Sequence, residues 1–191
     1  MKKYLGDNKK KVAVFISGNG SNLLNIIKFS LTKKSPISVK LIISNNQSAK
    51  GLKYSKIYNI KKKIITFRHK SSIELLLTIL SKNNISLVLL AGFMKILPKE
   101  FIKNFKGKIL NIHPSLLPKY KGLDTHARVI KNKEKYTGCT VHYVNFKLDS
   151  GKIIIQKRVN VSKRDDPKSL AKKVLKQEHK IYPKAILKLF N

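Results

Sequence analysis

The sequence carries a single cysteine, Cys139. No disulfide can close within the chain, which agrees with a reducing compartment. Long apolar runs are also missing. The longest bursts, such as residues 86–93, are far too short to cross a bilayer. The N-terminal MKKYLGDNKK is positively charged but has no apolar stretch behind it, as a secretory signal needs, so a cytoplasmic protein with no membrane partner is expected. The chain has no internal repeat and no low-complexity linker. One domain over residues 1–191 is expected, with a polar tail at 1–10 and a weak seam near 98–108.

Acidic residues are scarce, nine against 42 basic ones, for a formal charge of +33. That balance suggests a nucleic-acid partner. However, only four of the basic residues are arginine (Arg68, Arg128, Arg158, Arg164), leaving 38 lysines scattered along the chain. Arginine is the better bidentate reader of phosphates and base edges, so dedicated nucleic-acid binding is disfavoured. The lysine, isoleucine and asparagine excess reads equally well as coding bias. A positive field still attracts phosphorylated or polyglutamylated small molecules.

Several motifs are absent. His126, His142, His179 and Cys139 do not have zinc-like spacing, and no metal is expected. No nucleophile elbow occurs, so chemistry without a covalent enzyme intermediate is the simpler reading.

What is present alternates. Residues 11–17, 39–44, 63–67 and 86–91 read as strands buried on both faces. Residues 22–33, 48–59 and 71–83 have helical spacing. A short helix is expected after Pro98, and a fifth strand at 108–113. Residues 139–145 and 151–161 read as an antiparallel or edge pair. A last helix opens at Asp166-Pro167, presents Leu170, Val174, Ile181, Ala185 and Leu189, and has a kink expected at Pro183. This pattern predicts an α/β fold: a mostly parallel twisted sheet covered by helices, with antiparallel late strands.

Residues 17–22 (SGNGSN) join the first strand to the first helix. Two glycines allow a tight turn, and the helix N-terminus offers N–H groups to an anion, with Ser21 and Asn22 as further donors. The third glycine of a dinucleotide fingerprint and the P-loop lysine are both missing, so the anion is expected to be a simpler phosphate. An ordinary strand-to-helix turn would have the same composition.

On the fifth strand Asn111 and His113 alternate onto one side, at the carboxyl end where open α/β sheets place ligands. An amide beside an imidazole suits an oxyanion. Among the nine acids, Asp7 lies in the tail, Glu74 and Glu100 sit early in helices, Glu134 in a lysine-rich loop, and Asp165 and Asp166 mark a helix start. Asp124, Asp149 and Glu178 have no such structural reason, and the residues alone do not choose among them.

Six stretches in order, ISGNGSNL (16–23), LAGFMKIL (90–97), ILNIHPSLLPKYKG (109–122), GCTVHYV (138–144), LDSG (148–151) and QEHKIYP (177–183), resemble the phosphoribosylglycinamide formyltransferase family. NIHPSLLP followed by LDSG is shared with other folate-dependent formyltransferases, whereas GNGSN and QEHKIYP point more narrowly. The resemblance implies a Rossmann-like formyltransferase fold, with a phosphate-binding half over about 11–97 and a folate-binding, catalytic half over 98–191. It implies transfer of formyl from 10-formyltetrahydrofolate to the amine of 5-phosphoribosylglycinamide in purine biosynthesis, by a monomer or homodimer. Asn111 and His113 would stabilise the oxyanion, and Asp149 would keep His113 charged and assist proton transfer. Gly20, Ser21, Asn22 and Arg68 would hold the substrate phosphate, and Glu178 the glycinamide end. The folate would lie against Met94, Lys95, Ile96 and Leu97 and against Val144, Asn145, Phe146, Lys147, Leu148 and Asp149. Lys95 stands where the family often has arginine, and residues 66–72 look shorter than usual. Sugar-nucleotide formyltransferases and a formyltetrahydrofolate hydrolase are the alternatives within the class. A basic RNA-binding protein on the same fold is the alternative outside it.

Overall fold

The computed structural model describes residues 9–67 and 69–190. Seven strands, β1 (Lys10–Ile16), β2 (Ile37–Ser44), β3 (Lys61–Ile64), β4 (Leu87–Leu90), β5 (Lys108–His113), β6 (Tyr136–Tyr143) and β7 (Ile153–Asn160), lie in the order β3-β2-β1-β4-β5-β6-β7. The chain divides into two compact units, one ending at Leu110 and one beginning at Asn111. Among the described residues no helix is long and apolar enough to cross a membrane.

In the first unit β1 pairs in parallel with β2 on one side (Val14 beside Ile42) and with β4 on the other (Val14 beside Leu89). Their apolar runs are continuous because both faces are covered: Val12 to Ile16 and Leu87 to Leu90 are buried. Right-handed crossovers require α1 (Ser21–Ser30) and α3 (Lys70–Lys82) to flank opposite faces. Strand order reverses at β1, so the loops after β1 and β4 open onto a topological switch point. They are tied there: Ser17 N donates to Gly92 O (3.1 Å), and the Met94 N–H donates to Ser17 Oγ (2.8 Å).

Two expectations are corrected. The third strand was read as buried on both faces, yet all four residues of β3 are exposed. It is the sheet edge, paired only with β2, and Lys61, Lys62 and Lys63 keep their ammonium groups in water. Residues 48–59, read as one helix, form a 3₁₀ turn (Lys50–Leu52) and the five-residue α2 (Lys53–Ile57). The turn is pinned because the Gly51 N–H donates to Gly18 O at 3.0 Å. A short α4 (Lys99–Asn104) follows Pro98 as expected, with Glu100 in its first turn.

In the second unit β6 and β7 run antiparallel, Cys139 beside Lys157. A helix absent from the sequence reading, α5 (Thr125–Lys131), precedes β6. The 22-residue α6 (Pro167–Lys188) opens with a capping box: Asp166 accepts from the Ser169 N–H (2.6 Å), and Ser169 Oγ accepts from the Asp166 N–H (3.0 Å). Leu170, Val174, Ile181 and Ala185 are buried as the spacing predicts, joined by Glu178, Tyr182 and Ile186. Leu189 is instead the half-buried C-cap, and Pro183 sits inside the helix without ending it.

Replacing Asp166 with alanine removes the side-chain half of the cap and is expected to cost about 1 kcal/mol. Urea unfolding measures it, and an unchanged midpoint would show that α6 does not depend on the cap.

Candidate active site

In the first unit the loop after β1 turns on Gly20, which has φ 74° and precedes the first residue of α1. Its left-handed backbone suits glycine, and so does its packing: a Cβ would sit 2.6 Å from Gly51 Cα. No side chain caps α1 and no acid lies in its first turn, so the helix end stays electropositive. Ser21 is half-buried and Asn22 buried. Arg68 lies outside the described residues. On the loop after β4, Met94, Lys95 and Ile96 are exposed while Leu97 is buried.

The second unit brings the sequence-predicted trio together. Asn111 and His113 stand at the carboxyl end of β5. His113 Nδ1 lies 3.3 Å from Asp149 Oδ2, and Asn111 Nδ2 donates to Asp149 Oδ1 at 3.4 Å. Asp149 sits in the β6–β7 connection with φ 45°, and its carboxylate is 7% exposed. Two further groups meet it: the Gly122 N–H donates to Oδ2 (2.8 Å), and His142 Nε2 lies 3.6 Å from Oδ1. Gly151 allows this connection to form, because a Cβ there would run into the Tyr143 carbonyl.

The loop from Pro114 to Gly122 is fixed by β6 and β7. Thr140 Oγ1 donates to Ser115 O (2.7 Å) and accepts from the Leu117 N–H (3.1 Å), and Gln156 Nε2 donates to Leu117 O (2.9 Å). These bonds hold the segment that carries the Gly122 N–H to Asp149 and the Tyr120 carbonyl to His113. His113 Nε2 is 2.8 Å from Tyr120 O. A carbonyl only accepts, so Nε2 carries a hydrogen.

Electrostatics in this unit oppose one another. Burial lowers the His113 pKa, the Tyr120 carbonyl and Asp149 carboxylate raise it, His142 and Arg128 lower it further, and the net direction is down. Asp149 acts in the direction that favours a charged His113, and burial acts more strongly against it. For Asp149 burial is the largest single influence and raises the pKa. The neighbouring His142 ring, the hydrogen bond from the Gly122 N–H and the pull of His113 together outweigh it, so the net direction is down.

Glu178 is placed differently from the trio. It is 7% exposed on α6, and its charge acts on Tyr182 and Cys139. Burial first, and Glu178 second, push the Cys139 thiol up to about 12. In the β6–β7 connection Val144 is half-buried, while Asn145, Phe146, Lys147 and Leu148 are exposed. Of the three acids left open, Asp124 adopts φ 55° before α5 and caps nothing with its side chain.

Sequence reasoning missed His142, which it tested only for zinc spacing. A signal existed: Thr140 and His142 alternate onto one face of β6, as Asn111 and His113 do on β5. The Gly122 and Tyr120 backbone groups gave none, since any residue type supplies them.

A protein-family model described as "Formyl transferase" matches residues 10–186. The phosphoribosylglycinamide formyltransferase of Haemophilus influenzae is 40% identical over 181 residues, 93% of this chain and 85% of that protein. The trifunctional purine biosynthetic protein adenosine-3 of Drosophila melanogaster is 38% identical over 195 residues, 99% of this chain but 14% of that protein. The chain thus spans about one seventh of that larger relative. Among solved structures, the phosphoribosylglycinamide formyltransferase from Anaplasma phagocytophilum superposes with a TM-score of 0.86 at 42% identity, over 92% of this chain and 84% of that one.

Two outcomes follow from the buried groups. A depressed carboxylate pKa stabilises the fold above the unfolded value, near 4, and that contribution is lost as pH falls through the folded value. Asp149→Asn should therefore show a shallower loss of stability below about pH 4 than the unsubstituted protein. Equal slopes in acid-dependent urea melts would exclude Asp149 as the linked group. Cys139 should resist iodoacetamide at pH 8 in the folded protein and react readily once unfolded. Equal rates by mass spectrometry would contradict its burial.

Proposed function

Because the chain belongs to the formyl transferase family, we propose that it transfers the formyl group of 10-formyltetrahydrofolate to the amine of 5-phosphoribosylglycinamide, in cytoplasmic purine biosynthesis. The observation that carries this reading is the convergence of Asn111, His113 and a buried Asp149 at one strand end. The 40% identity to the phosphoribosylglycinamide formyltransferase of Haemophilus influenzae supports the choice of acceptor.

In this mechanism the substrate amine attacks the formyl carbon directly. A new C–N bond forms, the carbonyl oxygen becomes an oxyanion, and the bond from carbon to N10 of the folate then breaks. The Asn111 amide and the His113 imidazole stabilise the oxyanion. One proton must leave the amine and one must reach N10, so the overall charge is unchanged. The gap between His113 Nδ1 and Asp149 Oδ2 suits that proton. With Nε2–H donated to Tyr120 O, a neutral His113 turns an Nδ1 lone pair toward a carboxylate oxygen 3.3 Å away. A proton placed there bonds both atoms, and the developing oxyanion opposes the burial that disfavours it at rest.

The remaining roles follow the family. Gly20, Ser21 and Asn22, with Arg68, take the substrate phosphate at the uncapped end of α1, and Glu178 takes the glycinamide end. Met94, Lys95, Ile96 and Leu97 contribute to folate binding, as do Val144, Asn145, Phe146, Lys147 and Leu148. A monomer or homodimer performs the reaction.

Mixing the protein with both substrates and following loss of the formyl group tests this reading. Turnover is expected, with kcat in Asp149→Asn reduced about 10³-fold, within the range of a lost acid–base group. No turnover, combined with tight and salt-sensitive RNA binding, would favour the nucleic-acid alternative instead.

A further inference from the structure

We propose that His142 is a positioning residue that sets the orientation of the Asn111 amide, through a tautomer fixed by the backbone. The inference rests on the formyl-transfer reading above and extends it to a residue that the proposed steps do not use.

The reasoning starts at Tyr143. His142 Nδ1 lies 2.8 Å from the Tyr143 carbonyl oxygen, which can only accept. Nδ1 therefore carries a hydrogen, and in the neutral ring Nε2 is left with a lone pair. The ring is buried, with its side chain 2% exposed, so water does not compete for that lone pair. Asn111 Nδ2 is 3.3 Å from it. A lone pair there requires the amide to present its NH2 rather than its oxygen. Asp149 Oδ1, 3.4 Å from the same nitrogen, makes the same demand.

The three separations decide how many hydrogens this consumes. His142 Nε2 and Asp149 Oδ1 are 3.6 Å apart, so with Asn111 Nδ2 they form a nearly equilateral triangle. The two acceptors then subtend about 60° at the nitrogen, half the ~120° between its two hydrogens. One N–H therefore serves both acceptors as a three-centre bond. The second N–H points away from the pair and is the donor that the oxyanion needs.

The opposite tautomer inverts this arrangement. A hydrogen on Nε2 would be donated to Asp149 Oδ1 and would repel the Asn111 NH2. The amide would then turn its oxygen toward His142 and offer the oxyanion poorer geometry. His142 thus acts on the reaction only through Asn111 and Asp149.

The test has two arms. In protein labelled with ¹⁵N-histidine, NMR at about pH 8.5, above the ordinary histidine range, should show His142 with its hydrogen on Nδ1 and Nε2 bare. The Nε2–H tautomer would overturn the proposal. This arm needs no turnover, so it stands or falls separately from the assignment of substrates. In the second arm, His142→Phe removes the acceptor, and kcat should fall about 10²-fold while KM for either substrate changes less than about threefold. His142→Gln, whose Oε1 can accept the shared hydrogen, should recover at least about tenfold over the Phe variant. An equal kcat in the Phe and Gln variants, or a loss confined to KM, would also overturn it.

Discussion

The Asp149 carboxylate is buried among polar groups that come from three separate chain segments. Gly122 reaches it from the loop after β5, Asn111 and His113 from β5 itself, and His142 from β6. A carboxylate taken out of water needs hydrogen bonds in its place, and the Gly122 and Asn111 N–H groups supply them. Each of these segments is in turn constrained by the carboxylate. The loop from Pro114 must bring an N–H inward at Gly122, β6 must present a histidine at its last turn inward, and the β6–β7 connection must accept φ 45° at Asp149. One desolvated charge thus constrains the local geometry of the polar groups around it. The same burial that makes the charge costly also strengthens its effect on His113 and His142, because little water remains to screen it.

What the sequence disclosed divides along a physical line. Strands with apolar runs were legible: β1, β2 and β4 lie where burial on both faces favours runs of Val, Ile and Leu. The Asp166-Pro167 start of α6 was legible because capping is local chemistry. β3 was misread because a lysine-rich edge strand has no buried face to betray it, and its apolar flank at Ile64–Ile65 drew the reading two to three residues late. α5 was missed because only Thr125 and Val129 in its seven residues are buried, too few for a periodic signal. In the site, Asn111 and His113 could be paired from strand alternation alone. The distance to Asp149 depends on a connection with a left-handed backbone at Asp149, whose path periodicity does not encode, and the family motifs supplied that link.

The charge excess takes on a narrower meaning beside the acids. Among the described residues the carboxylates are mostly committed: Asp149 and Glu178 inside the second unit, Asp165 and Asp166 at the start of α6, Glu134 to Lys119 and Tyr120. Most lysines can therefore find no carboxylate partner and stay solvated. Three of them lie on β3, where solvated charge along an open sheet edge disfavours pairing with another strand. A cleft of about 490 Å³ in the first unit is lined by Lys11, Lys40, Lys61 and Lys82 among fourteen residues. With 38 lysines in 191 residues, about three would line any such surface, so the cleft shows no selection for an anion.

The left-handed residues show how α5, the element hidden from the sequence, supports the loop beside His113. Tyr120 and Asp124 both have φ 55°, a conformation that costs a side-chain-bearing residue energy, on the order of 1 kcal/mol. Tyr120 holds it because its hydroxyl donates to Glu134 Oε1 (2.9 Å) and accepts from Asn132 Nδ2 (2.9 Å), while Arg128 lies over its ring. Arg128 also donates from Nη1 to the carbonyl of Lys121 at 2.6 Å. Arg128 belongs to α5, and Asn132 and Glu134 follow directly behind it. The helix and its C-terminal turn therefore brace the one backbone carbonyl that decides which nitrogen of His113 bears a hydrogen. In the proposed mechanism, proton transfer at Asp149 would depend, two contacts away, on how firmly a short helix grips a tyrosine ring.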